Sequence, residues 1–220
     1  MRAETKGRPA FGYVDVDLEP GEAIVAEADA MASMHADLDV RARLNGGLLP
    51  AVMKSTLGRE TLFVNEFTNN TSEKRRLTLG QGTPGDIGYR ELNGESFCLQ
   101  PGAYIASTPE VHLGLKWAGF ASFVGREGLV KLEASGTGVI WYGAYGGLVE
   151  KKLSGEYIVD TSHLVAYEPG IKLNVQMAGG FFSSIFGGEG LVTRLEGTGS
   201  YIIQTRSVPG LVSWLNPKIV

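Results

Sequence analysis

Ile171-Lys172-Leu173-Asn174-Val175-Gln176-Met177 changes from apolar to polar at every step. Successive side chains of a β-strand point to opposite faces, so this period of two predicts a half-buried strand. Two other stretches read the same way. Leu38, Val40, Ala42 and Leu44 alternate with Asp37, Asp39, Arg41 and Arg43, and Val111, Leu113, Leu115 and Trp117 alternate with His112, Gly114 and Lys116. Each runs into a Gly-containing apolar tip. Each then returns through a Gly-led segment: Gly58-Arg59-Glu60-Thr61-Leu62, Gly125-Arg126-Glu127-Gly128-Leu129 or Gly188-Glu189-Gly190-Leu191. A two-strand unit written three times predicts copies that bury their apolar faces against one another. The expected fold is all-β: an internally duplicated antiparallel β-sandwich of short strands with little helix.

Working outward, the units open at Pro20-Gly21, Pro101-Gly102 and Ser154-Gly155. On that alignment the second unit is shortened, lacking most of what reads Ala30 to His35 in the first and His163 to Glu168 in the third. Residues 1–10 read as a flexible lead-in, and Tyr13 to Leu18 alternates as a first strand. The stretch Thr68 to Glu95 is polar and turn-rich, with one strand at Arg76 to Leu79, and reads as a linker. This divides the chain into 11–95, an N-terminal repeat with its connection, and 96–220, two further repeats with a short tail. The tail Val208 to Leu215 allows one helical turn, ended by Asn216-Pro217, whose expected role is to dock Trp214 on the sheet.

Bulk composition narrows the function. Of 220 residues 43% are hydrophobic, enough for a real core. The 31 glycines suit many turns, being about twice the average share. A formal charge of −4 argues against a broad nucleic-acid face, which needs clustered Lys and Arg. The short run Lys74-Arg75-Arg76 reads as a solvated loop. The single cysteine, Cys98, lies in an apolar strand-like setting and reads as a buried, inert thiol. Neither a secretory signal nor an apolar run of membrane-spanning length is present, so the expected location is cytoplasmic. The sequons at Asn69 and Asn70 then mean only a turn-rich loop.

Three motifs carry less than their letters promise. Gly80-Gln81-Gly82-Thr83-Pro84-Gly85 matches a dinucleotide fingerprint, but Pro84-Gly85-Asp86 cannot open the helix that would hold a pyrophosphate. His35, His112 and His163 occupy different offsets, and none sits in a His-x-His pair, so a metal centre is not expected. Asp160-Thr161-Ser162-His163 is a turn composition, since catalytic triads assemble from distant segments. No cofactor and no catalytic or metal-binding residue is assigned.

The apolar tips stand out because loops between alternating strands are ordinarily polar. They contain Leu48 and Leu49 in the first unit, Phe120 and Phe123 beside Trp117 in the second, and Phe181, Phe182, Ile185 and Phe186 in the third. Burying the last four would contribute roughly 6–12 kcal/mol before ordering costs. These residues are the candidate interface, toward a second copy, a protein partner or a peripheral membrane surface.

An ordered set of motifs runs from residue 11 to the C-terminus: Leu18-Glu19-Pro20-Gly21-Glu22, Ala30-Met31-Ala32-Ser33-Met34, Gly46-Gly47-Leu48-Leu49, Phe63-Val64-Asn65-Glu66-Phe67, Pro84-Gly85-Asp86-Ile87, Gly197-Thr198-Gly199 and Ile203-Gln204-Thr205-Arg206. In these the chain resembles the bacterial branch of the altered-inheritance-of-mitochondria protein 24 family. The resemblance implies the tryptophan-RNA-binding-attenuation-protein-like β fold, ring-like self-association as a homotrimer, and no enzymatic activity. The leading expectation is a non-enzymatic, self-assembling scaffold. Its rivals are a small-ligand- or metal-binding β barrel and an RNA-binding ring. The acidic chain lacks the repeated basic position that an RNA ring requires.

Overall fold

The computed structural model describes residues 1–44, 63–117, 130–177 and 191–219, with the side chains of 43, 44, 116, 117, 130, 176 and 177 outside the description. The chain is all-β, as its alternation requires. A four-stranded antiparallel sheet contains β1 (Arg2–Lys6), β2 (Tyr13–Leu18), β7 (Arg75–Gly80) and β4 (Met31–Met34), in that order. A larger sheet holds the other strands. They are β3 (Ala23–Glu27), β5 (Asp39–Leu44), β6 (Phe63–Thr68), β8 (Ile87–Leu99), β9 (Tyr104–Ser107), β10 (Val111–Trp117), β11 (Val130–Gly143), β12 (Leu148–Asp160), β13 (Leu164–Tyr167), β14 (Lys172–Met177) and β15 (Leu191–Gln204). Its order is β12-β15-β13-β8-β11-β9-β3-β6-β5, with β10 on β11 and β14 on β15.

The four-stranded sheet shows why alternation folds. Val14, Val16, Leu18, Leu77 and Leu79 are buried with Ile24, Phe67, Ile105 and Trp141 of the larger sheet. On the outer face Lys6 pairs with Asp15 at 2.9 Å and Arg76 with Asp17 at 2.8 Å. These exposed pairs order the face and contribute little stability.

The three alternating stretches form β5, β10 and β14, each antiparallel to the returning β6, β11 or β15. Their pairings correspond position for position. In each unit a short strand (β4, β9 or β13) ends in a turn closed by the amide of Leu38, Val111 or Ile171 on the carbonyl of His35, Thr108 or Glu168, at 3.2, 3.1 and 3.0 Å. The amides of those last three residues reach the carbonyls of Arg76, Val139 and Ser200. In the first two units the side chain takes the return bond: Arg76 N donates to His35 Nδ1 at 2.8 Å and Val139 N donates to Thr108 Oγ1 at 3.2 Å. In the third, Ser200 helps to hold the Glu168 carboxyl below its ordinary value. His35 is therefore an acceptor in the backbone scheme of the fold.

This correspondence corrects the sequence alignment. By register the counterpart of Gly21 in the second unit is Gly94, three residues before Phe97, which faces Ala134 as Ile24 faces Phe67. Gly102, at φ +81°, makes a separate turn before β9. The second unit is not shortened either, because β9 stands where β4 and β13 stand. The difference lies in the first unit, where the path from Thr68 to Arg76 is four residues longer than from Ser135 to Val139 or Glu196 to Ser200. In the later units Gly136-Thr137-Gly138 and Gly197-Thr198-Gly199 bend one continuous strand. In the first, the extra residues split it into β6 and β7. Buried Asn69 organises that loop, donating to Leu18 O at 2.9 Å and Glu73 O at 2.8 Å and accepting from Thr71 N at 3.0 Å.

Other expectations change. The segment read as a linker contains β7, paired on both sides by β2 and β4, and most of the long β8, which runs through the expected 95/96 division. Residues 1–10 contain β1, laddered on β2 from Arg2↔Asp17 to Lys6↔Tyr13, and Arg8 clamps buried Asp86 at 2.7 and 3.0 Å. The Arg-Ala-Glu-Thr-Lys sequence of β1 has no large apolar residue and so carries no strand signal of its own. The tail forms α1 (Val208–Leu215), capped by the Ser207 hydroxyl accepting from Gly210 N. Trp214 does not dock on the sheet: it is 59% exposed, with Lys218 4.7 Å from its ring centre.

Two predictions follow from the bends. A Cβ at Gly138, whose φ is +150°, would collide with Thr108 Oγ1, whereas one at Gly82 meets nothing within 4 Å. Gly138→Ala should lose at least 1–3 kcal/mol in urea unfolding, roughly the cost of backbone strain alone, while Gly82→Ala stays within about 0.5 kcal/mol. Burial raises the Glu168 carboxyl, but hydrogen bonds from Ser200 and Arg90 outweigh it and hold the group below its ordinary value. Its contribution is complete above the unfolded-state value and is lost as pH falls through the depressed folded value. Melting temperatures measured from about pH 6 to about pH 3 should therefore fall less steeply for Glu168→Gln than for the parent.

Candidate functional site

Leu48, Leu49, Phe120, Phe123, Phe181, Phe182, Ile185 and Phe186 lie outside the described residues. Trp117 ends β10, its backbone paired with Val130, and its side chain is likewise outside the description. The described parts of the three ladders include the pairs Leu44↔Phe63, Trp117↔Val130 and Met177↔Leu191.

The other sequence candidates are spread through the fold. His35 accepts a main-chain bond, His112 is exposed on β10, and His163 Nδ1 lies 2.7 Å from Gln204 O. Among the described residues no group of His, Cys, Asp or Glu could hold a metal ion. Asp160-Thr161-Ser162-His163 is a short 3₁₀ turn in which Asp160 accepts from Ser162 N at 2.8 Å and Ser162 Oγ at 2.6 Å. Cys98 is fully buried, its sulfur 3.8 Å from Lys131 Nζ. Gly80 ends β7, and no helix follows the glycine-rich run. A shallow groove lined by Arg2, Glu4, Lys6, Asp15, Asp17 and Arg76 is filled with the ion pairs of the outer sheet. Among the described residues no helix is long and apolar enough to cross a membrane.

The arrangement with most content is the way units join. At the first junction β9 is inserted between β11 and β3, with Ser107↔Val25 and Ala106↔Ala26. Tyr104 is buried there, its hydroxyl 3.1 Å from both Val25 O and Ser107 Oγ. Burial pushes its phenol well above the ordinary range. At the second junction β13 is inserted between β15 and β8, with Tyr167↔Cys98 and Ala166↔Leu99. All four residues of β9 and all four of β13 are buried. The Arg90 guanidinium braces this region, pairing with Glu168 at 3.2 Å over the Phe97 ring.

The corresponding positions at the two ends of the molecule are open. Among the described strands β4 pairs with β7 alone and β12 with β15 alone. The Met31–Met34 strand is exposed for three residues and half-buried at the fourth, and Met31 is 42% exposed. On β12, Tyr157 is 51% and Ile158 41% exposed. No single-sequence signal marks these positions, since Tyr157, Ile158 and Val159 read like any interior strand.

The sequence profile of the family described as mitochondrial biogenesis AIM24 matches residues 3–206. An uncharacterized protein of Streptococcus pyogenes serotype M6 is 26% identical over 204 residues, spanning 89% of this chain and 82% of that relative. A Streptococcus pyogenes protein solved by X-ray crystallography has the same fold, with a TM-score of 0.79 at 24% identity over 99% of each chain. With the family profile matching residues 3–206, nearly the whole sheet-forming chain, this chain belongs to the AIM24 family.

Proposed function

We propose that this chain is a non-enzymatic β scaffold that assembles with copies of itself, three copies being the favoured number. The observation that carries the reading is the open end of the large sheet. β12 is a 13-residue edge strand, and a long edge with exposed apolar side chains is a template for pairing. Its first half carries Glu150, Lys151 and Lys152, charges of the kind that blunt an edge. Its second half presents Tyr157 and Ile158, 51% and 41% exposed, side by side between Glu156 and Asp160. In the assembled state the three hairpin ends of each copy would form the contact toward a protein partner or a membrane surface.

Light scattering of the full chain across a hundredfold dilution should give a mass of about 70 kDa, three times the 23.5 kDa of one chain. A mass of one chain throughout would overturn the reading. For the hairpin ends, Phe181→Ser/Phe182→Ser should keep that mass but lose flotation with liposomes or capture of a partner. Equal flotation and capture by parent and variant would remove the tips from the contact.

A further inference from the structure

We infer that the exposed edge of β4 in one copy is inserted beside the end of β12 in the next, with Met34 opposite Ile158 and Ser33 opposite Val159. This rests on the scaffold reading and names both its partner, a second copy of this chain, and the register of contact.

The register comes from the two junctions already made within the chain. β4, β9 and β13 are equivalent: each lies antiparallel on the strand that follows its own hairpin, each with one register irregularity. Met34, Ser107 and Tyr167 thereby face Leu77, Ile140 and Tyr201. The receiving edges are equivalent as well. Phe67, Ala134 and Leu195 correspond through their hairpin pairings, and they face Ile24, Phe97 and Tyr157. The next residues along are Val25, Cys98 and Ile158, then Ala26, Leu99 and Val159. Since Ser107 faces Val25 and Tyr167 faces Cys98, Met34 is the residue left to face Ile158.

Burial points the same way. Ile24 and Phe97 are fully buried where their equivalent, Tyr157, is half exposed. The strands β9 and β13 are wholly buried where β4 is not. Side-chain composition also fits: Met31 and Met34 are flexible apolar residues suited to an irregular apolar surface, and Tyr157 and Ile158 supply that surface. Each copy offers one β4 edge and one β12 edge, which differ, so the contact is head-to-tail. Such contacts close into a ring when the rotation between copies permits, leaving neither β4 nor the end of β12 unpaired.

Cysteine cross-linking tests both partner and register. Residues directly opposite in an antiparallel pair have Cα atoms about 4.5–5.5 Å apart, within the span a disulfide accepts. The native Cys98 is fully buried and does not compete. Met34→Cys and Ile158→Cys chains, unfolded together, refolded and mildly oxidised, should give a covalent dimer that neither gives alone. The double variant should give a covalent ladder ending at the mass of the assembly. Ile158→Glu, at an exposed position of the single chain, should retain the parent's far-ultraviolet spectrum while the concentration for half-assembly rises at least about tenfold. Cross-linking by either single variant alone would mean a self-complementary contact and overturn the inference. An assembled parent without cross-links in the mixture, or an assembled Ile158→Glu chain, would overturn the junction and leave the scaffold reading standing. A parent that is one chain at all concentrations would remove both.

Discussion

A four-residue strand flanked by hydrogen-bonding partners on both edges holds one unit of this protein to the next. Such a strand satisfies its own backbone and that of both neighbours, and leaves no polar main-chain group buried without a partner. β9 and β13 do this inside the chain, and their buried Tyr104 and Tyr167 add large apolar surfaces to the same joints. Each short strand contributes to two cores: β9 places Tyr104 in one and Ile105 and Ala106 in another, and β13 places Val165 and Ala166 in one and Leu164 and Tyr167 in another.

The bend next to each short strand is the second constraint. His35 and Thr108 accept a main-chain amide from the neighbouring strand, and Glu168 holds the equivalent place in the third unit, its carboxyl kept below the ordinary value by Ser200 and Arg90. The requirement is a hydrogen-bond acceptor at that point, and imidazole, hydroxyl and carboxylate all meet it. This explains a histidine that would otherwise invite a metal-binding reading. In the second and third units the facing strand passes the bend as Gly-Thr-Gly, because Cβ atoms at Gly138 and Gly199 would run into the acceptor side chains. In the first unit the chain detours around buried Asn69, and the strand becomes two.

That detour accounts for the asymmetry of the molecule. It frees β7 to join β2 and β4 in a separate sheet, and β1 adds to the outside of β2. One end of the chain is therefore finished by a small charged sheet, and the other by the long edge of β12. A protein built this way has two unlike ends, and a scaffold assembled through them acquires a direction.

Much of the fold was legible because alternation is a local property. Tyr13–Leu18, Val111–Trp117 and Lys172–Met177 declare themselves strands through side-chain polarity alone. The misreadings arose where the deciding quantity is not local. Pro101-Gly102 resembles a unit opening, yet only the hydrogen-bond register shows that the counterpart of Gly21 is Gly94. A polar stretch such as Thr68 to Glu95 looks like a linker until β2 and β4 are found on either side of β7. By itself the sequence determined the all-β class, the hairpins and the absence of a metal-ligand spacing, because these follow from the order of side chains along a strand. The tertiary structure alone decided which edges are covered and which stay open, because strand edges are made of main-chain groups that every residue carries alike.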